Sequence, residues 1–138
     1  MIVTDQKILR QVSKDTTQEE VDKLELVRKI QEANKTAWTK GAGLAAIQIG
    51  IPLRFAWYRI EDKEGTLLNP KILTEFGKEI LEEGCLSIPH KYTKVERAYS
   101  IEYLTNGKKK KANGFKARLI QHEIDHMNGI LNIDKAVK

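Results

Sequence analysis

A chain of 138 residues with 41% hydrophobic and 31% charged side chains can bury one core and is too short for two, so a single domain over residues 1–138 is expected. This composition excludes the disordered class, and no apolar run approaches the ~20 residues of a membrane span. A net charge of +5 permits weak attraction to polyanions without marking a nucleic-acid site.

The opening residues, Met1-Ile2-Val3-Thr4-Asp5-Gln6-Lys7, lack the apolar stretch of a secretory signal. The one cysteine, Cys85, has no partner in the chain for a disulfide, which fits a reducing compartment. A cytoplasmic protein with no membrane contact is expected. Thr17-Gln18-Glu19-Glu20 reads as a capping box, the Thr17 hydroxyl and Glu20 carboxylate satisfying orphan amides. Val21, Leu24, Val27, Ile30 and Ala37 follow at helical spacing, which predicts a helix from about residue 18 to about residue 39, closed by Gly41.

Gly41-Ala42-Gly43-Leu44-Ala45-Ala46-Ile47-Gln48-Ile49-Gly50 combines glycines with small neighbours, which suits a tight turn or a peptide lying alongside. It lacks the Gly-Lys-Ser/Thr ending of a phosphate loop. Gln48, polar in an apolar run, is either a satisfied core amide or a catalytic one. Leu53 to Ile60 reads as a strand, and Leu67 to Leu73 as another, bent at Pro70. Lys78 to Leu81, Tyr92 to Glu96 and Ser100 to Leu104 read as further strands. Asn106-Gly107 is a hairpin signal, and Lys108 to Ala112 returns antiparallel. With no aromatic residue among the lysines 108–111, that run is a solvated arm rather than a dedicated RNA site.

The last informative stretch is Gln121-His122-Glu123-Ile124-Asp125-His126. On a helix with ~3.6 residues per turn, His122 and His126 share a face and can grip one metal ion. Glu123 beside them is placed to handle protons on a water activated by that metal. Phe115 and Leu119 extend the same face, as the wall of a side-chain pocket would, while Ile120, Ile124, Met127 and Leu131 form a core face. A metzincin protease would place a third histidine where Asn132 stands, and Asp134 is the only acid left downstream. The third ligand therefore comes from upstream. Cys85, otherwise a small buried hydrophobe, is the only thiol and completes a Cys plus two His site with a fourth position open.

Three stretches carry a resemblance to a known family. Gly41 to Gln48 is similar to Gly-x-Gly-Φ-Ala-Ala-x-Gln, where Φ is apolar; Glu83-Gly84-Cys85-Leu86-Ser87 to Glu-Gly-Cys-Φ-Ser; and residues 121–129 to Gln-His-Glu-x-Asp-His-Φ-x-Gly. Together, in this order, they resemble the signatures of peptide deformylases. The resemblance implies an α+β fold with mixed or antiparallel sheets around a central metal-bearing helix. It implies an enzyme that removes the N-formyl group from the initiator formylmethionine of nascent polypeptides and releases formate.

By the same resemblance, Cys85, His122 and His126 are the metal ligands and Glu123 the general base. Gln48 supplies a side-chain oxyanion donor and Leu86 a backbone one. Ala42, Gly43 and Gly84 pair with the extended substrate backbone, and Phe115, Arg118 and Leu119 surround the methionine side chain. The implied metal is Fe(2+), with Zn(2+), Ni(2+) or Co(2+) able to substitute, and a thiolate ligand makes a ferrous site sensitive to oxygen.

The chain departs from the family pattern at Ile47, where proline is common, and at Ala42, where a branched residue is frequent. It also ends at Lys138, so the C-terminal helix associated with ribosome docking is expected to be absent, as in compact viral members. Ribosome attachment by the usual route is then in doubt. Two other readings stay open from the residues alone: a different His-Glu-x-x-His metallopeptidase, and a non-catalytic, metal-stabilised, ribosome-associated module.

Overall fold

The computed structural model describes residues 1–137. Its helices are α1 (Gln6–Leu9), α2 (Gln18–Lys23), α3 (Leu26–Lys35) and α4 (Gly114–Met127). The strands are β1 (Gly43–Ala45), β2 (Phe55–Ile60), β3 (Lys63–Leu68), β4 (Lys71–Phe76), β5 (Glu79–Cys85), β6 (Ile88–Arg97), β7 (Ser100–Thr105) and β8 (Lys108–Asn113). They form antiparallel sheets ordered β1-β2-β3, β4-β7-β8 and β5-β6. This is the α+β arrangement expected, with the sheets antiparallel throughout the described residues. No helix among those residues is long and apolar enough to cross a membrane.

The sheet β1-β2-β3 is covered on both faces, which explains the unbroken apolar run Phe55-Ala56-Trp57-Tyr58 in β2. Successive strand side chains alternate in direction. Phe55 and Trp57 join Leu26, Ile30 and Leu44 in a core under α3. Ala56 and Tyr58 join Ile101, Tyr103, Ile120, Ile124 and Met127 in a second core that holds α4 against β7. Nearly every residue of α4 from Ala117 to Met127 is buried, so this helix runs through the interior rather than over the surface.

The long helix expected from residue 18 to residue 39 is instead two, broken at Glu25, which adopts φ 53° in the left-handed region. On one continuous helix Val21 and Leu26 would point about 140° apart. The break resets the phase, so both side chains enter the same core. The second helix ends at Lys35, and Gly41 lies beyond it, its N–H donating to Asn34 Oδ1 at 3.0 Å. Thr17 does cap α2, its hydroxyl accepting from Glu20 N at 3.1 Å. The Glu20 carboxylate, however, takes the Thr16 hydroxyl (2.5 Å) rather than a reciprocal backbone amide.

The strand expected to bend at Pro70 is also two, since Asn69 (φ 47°) and Pro70 carry the chain from the first sheet into the second. Proline lacks the N–H needed to continue a ladder. The Asn106-Gly107 hairpin forms as expected, with φ 51° and 73°, the left-handed pair that such a tight turn requires. Lysines 108–111 are exposed on β8, an edge strand, where charge discourages pairing with another chain. The core face expected to run to Leu131 stops being helical at Met127; Leu131 is fully buried from the following segment.

Candidate metal centre

β5 delivers the thiol. Its pairing with β6 slips between Gly84, opposite Tyr92, and Cys85, opposite Ile88, so residues 89–91 bulge outward while Cys85 turns in toward α4. On α4, His122 and His126 stand one turn apart with ring centroids 4.9 Å apart. The donor atoms of Cys85, His122 and His126 all lie within 4.8 Å of one another. Cys85 Sγ is 3.4 Å from His126 Nε2, close to the roughly 3.5 Å between two ligands of a tetrahedral ion. One thiolate and two imidazoles suit a divalent transition metal, and these residues fit such an ion.

The orientation of the His122 ring supports that fit. His122 Nδ1–H donates to Glu83 Oε1 at 2.9 Å, which leaves Nε2 as the nitrogen available to an ion. Burial disfavours the charged form of His122, but its hydrogen bonds to Cys85 and Glu83 prevail and lift its pKa to about 10. A bound cation would replace that proton. Burial drives His126 the other way, well below its ordinary value, so its ring is neutral as a ligand must be.

Glu123 is 1% exposed, and its Oε1 has no hydrogen-bond partner among the described residues. Burial raises its pKa to about 7 against the opposing charges of His122 and Arg97. A buried acceptor without a protein partner, poised near neutrality, is what a proton-transfer group needs. Gly43 makes the room for it, since a Cβ there would come within 2.8 Å of Glu123 Oε2 and 3.3 Å of the Trp57 carbonyl.

These groups open onto a cavity of about 340 Å³ walled by segments 38–43 and 82–86, by Gln48 and Tyr92, and by Phe115, Arg118, Leu119, His122 and Glu123. All the residues singled out in the sequence line it except His126, which is buried below. Gln48 is 2% exposed; its Oε1 accepts from Ala45 N at 3.0 Å and its Nε2 donates to Ser87 Oγ at 3.1 Å, with Cys85 Sγ at 3.7 Å. Ala42, Gly43 and Gly84 line the cavity. Phe115 is 59% exposed and stands at the rim, with Leu119 deeper. The guanidinium of Arg118 is taken up by Glu83 (2.5 Å) and by the carbonyls of Val95 and Glu79 (3.0 and 2.6 Å).

Sequence reasoning missed the polar scaffold behind the ligands. Glu83 accepts from Arg97 at 2.8 and 2.9 Å, from Arg118 and from His122, and Arg97 also donates to Asp125 at 2.5 Å. Burial opposes the Glu83 charge, but the Arg97 and His122 hydrogen bonds outweigh it and hold the carboxyl well below its ordinary value. Gln121 clamps the turn before β7, accepting from Ala98 N and donating to Ala98 O. Glu83 and Asp125 lie within the quoted motifs, but nothing local marks Arg97 as their shared partner.

Comparison with known proteins covers the whole chain. The family model described as polypeptide deformylase matches residues 1–138. A peptide deformylase of Halothermothrix orenii is 41% identical over 138 aligned residues, covering 95% of this chain and 88% of that protein. A peptide deformylase structure from Thermotoga maritima superposes with a TM-score of 0.89 at 33% identity, covering 100% of this chain and 97% of that one. A probable peptide deformylase from Synechococcus phage S-SSM7 superposes at 0.86 with 36% identity, covering 98% of both chains.

Proposed function

This chain belongs to the peptide deformylase family, and we propose that its metal-dependent removal of the N-formyl group from nascent polypeptides runs on Cys85, His122, His126 and Glu123. The observation that carries this reading is the Cys85/His122/His126 cluster, with Cys85 and His126 buried, beside a Glu123 carboxylate oxygen that has no partner among the described residues. A divalent ion held by the three ligands would supply Lewis-acid polarisation and lower the pKa of a water from ~15.7 toward neutrality.

Within that site, Glu123 accepts a proton from the water that attacks the formyl carbon. The developing oxyanion accepts hydrogen bonds from the Gln48 amide and the Leu86 N–H, donors of a kind worth about 3 kcal/mol each in acyl transfer. As the carbon–nitrogen bond breaks, Glu123 returns the proton to the departing nitrogen, giving formate and a free amino terminus. Ala42, Gly43 and Gly84 offer backbone to an extended peptide. Phe115, Leu119 and the aliphatic stem of Arg118 border the methionine side chain, the Arg118 charge being already paired.

The ion in the cell is Fe(2+), with Zn(2+), Ni(2+) or Co(2+) able to occupy the same donors, and the enzyme acts in the cytoplasm on formylmethionyl nascent chains. The soft thiolate of Cys85 favours such ions over magnesium or calcium. Formate release from a formyl-Met-Ala-Ser peptide, followed through chelation and reloading, tests the reading. Activity lost on chelation and restored by Fe(2+) or Ni(2+) is expected, with the iron form decaying in air. Undiminished activity in fully metal-free protein would overturn it.

A further inference from the structure

The cavity has two lips from distant parts of the chain. One is the segment between α3 and β1, residues 36–42; the other is the Cys85–Ser87 turn with the bulge of β6 behind it. The first lip is tethered at its base, where Gly41 N–H donates to the buried Asn34 at 3.0 Å. Across the cavity mouth the lips are joined by Trp38. Its indole Nε1–H donates to the Leu86 carbonyl at 3.2 Å, and its ring lies 4.6 Å from the His90 imidazole, tilted by 44°. His90 itself takes φ 62°, a left-handed conformation that the register slip at Gly84/Cys85 makes room for. The bulge that turns Cys85 inward therefore also presents His90 to the indole.

We propose that Trp38 is a positioning residue that latches the two lips and, by holding the Leu86 carbonyl, fixes the Leu86 Cα from which the N–H of the preceding peptide projects toward the developing oxyanion. The proposal rests on the oxyanion role given to Leu86 above. The Leu86 side chain packs into the α3 core, with Cδ1 only 2.7 Å from where a Cβ on Gly41 would sit. The carbonyl and the N–H of Leu86 lie in adjacent peptide planes joined at its Cα, so the packed side chain and the indole-held carbonyl together fix two of the Cα substituents and thereby the direction of the third, the nitrogen. Trp38 is 40% exposed, so the latch is a rim contact whose purpose is geometric rather than a contribution to the core. A neutral hydrogen bond of this kind acts on the transition state through Leu86, not on the bound peptide as a whole, so its loss should appear in kcat.

The test uses metal-loaded enzyme and two variants, neither of which alters a ligand. Trp38→Phe keeps a ring against His90 and removes the donor; His90→Ala keeps the donor and removes the ring partner. On formyl-Met-Ala-Ser, Trp38→Phe is expected to lower kcat about three- to tenfold with KM unchanged, as the loss of one net hydrogen bond implies. His90→Ala should lower kcat less, with KM again unchanged. Metal content and thermal midpoint should match wild type in both. An unchanged kcat in Trp38→Phe overturns the proposal, as does a rise in KM alone, which would make Trp38 a substrate contact. A fall in kcat that only tracks metal loss overturns it as well. Wild-type protein that releases no formate would instead defeat the parent reading, so the two failures are distinguishable.

Discussion

Replacing Glu83 with glutamine removes one negative charge from the centre of the scaffold while keeping its shape. In the native protein this carboxylate faces two buried guanidiniums and the outer nitrogen of His122. Breaking a buried ion pair by deleting one partner costs about 3–5 kcal/mol. Arg97 would retain Asp125, and Arg118 would retain two backbone carbonyls, so Glu83→Gln should fall at the low end, about 3 kcal/mol. For 138 residues that corresponds to a thermal midpoint about 10 °C lower. The amide also loses the charge that orients His122, which should weaken metal binding about 10- to 100-fold. Denaturant melts of the metal-free protein and competition titration with a chelator read the two effects separately. Stability within about 1 kcal/mol of wild type together with unchanged metal affinity would refute the role assigned to Glu83.

Other perturbations probe neighbouring parts of the site. Gly43→Ala puts a Cβ 2.8 Å from Glu123 Oε2 and should lower kcat at least tenfold while the protein stays folded and metal-loaded; a fully active variant would show that Glu123 has room to spare. Gln48→Ala should reduce kcat about 10²- to 10³-fold if its amide meets the oxyanion, and a change confined to stability would return Gln48 to the status of a core amide. Asp134 pairs with Arg10 at 2.8 Å and accepts from Leu131 N at 2.9 Å, and the Arg10 hydrogen bond holds its carboxyl below the ordinary value. A depressed folded-state pKa contributes stability above the unfolded value that disappears as pH falls through the folded one. Asp134→Asn should therefore lower the thermal midpoint at pH 7, by a deficit that shrinks as pH falls below the ordinary aspartate range; a deficit that stays constant from neutral to strongly acid pH would contradict the linkage.

The chemistry was more legible in the sequence than the architecture. His122, Glu123 and His126 lie within five consecutive residues of one helix, so a 3.6-residue period places them without tertiary information. Cys85 could be recruited because it is the only thiol. The split of the N-terminal helix at Glu25 was not legible, because its cause is the need to turn Val21 and Leu26 into one core, and the left-handed residue that achieves it is an ordinary glutamate. The same holds for the Glu83–Arg97–Asp125 network. Its members come from β5, β6 and α4, and only the fold reveals which of the many charged side chains are buried together. Trp38 was passed over because nothing in the sequence near it announces Leu86 or His90 as partners.

The most direct test compares formate release by wild type and Glu123→Ala, each purified without oxygen and loaded with Fe(2+) or Ni(2+). The account predicts turnover by wild type on formyl-Met-Ala-Ser, and release abolished in the variant while its metal content stays the same, because Cys85, His122 and His126 are untouched. Formate release by Glu123→Ala at the wild-type rate would contradict the account, since the proton would then have another carrier.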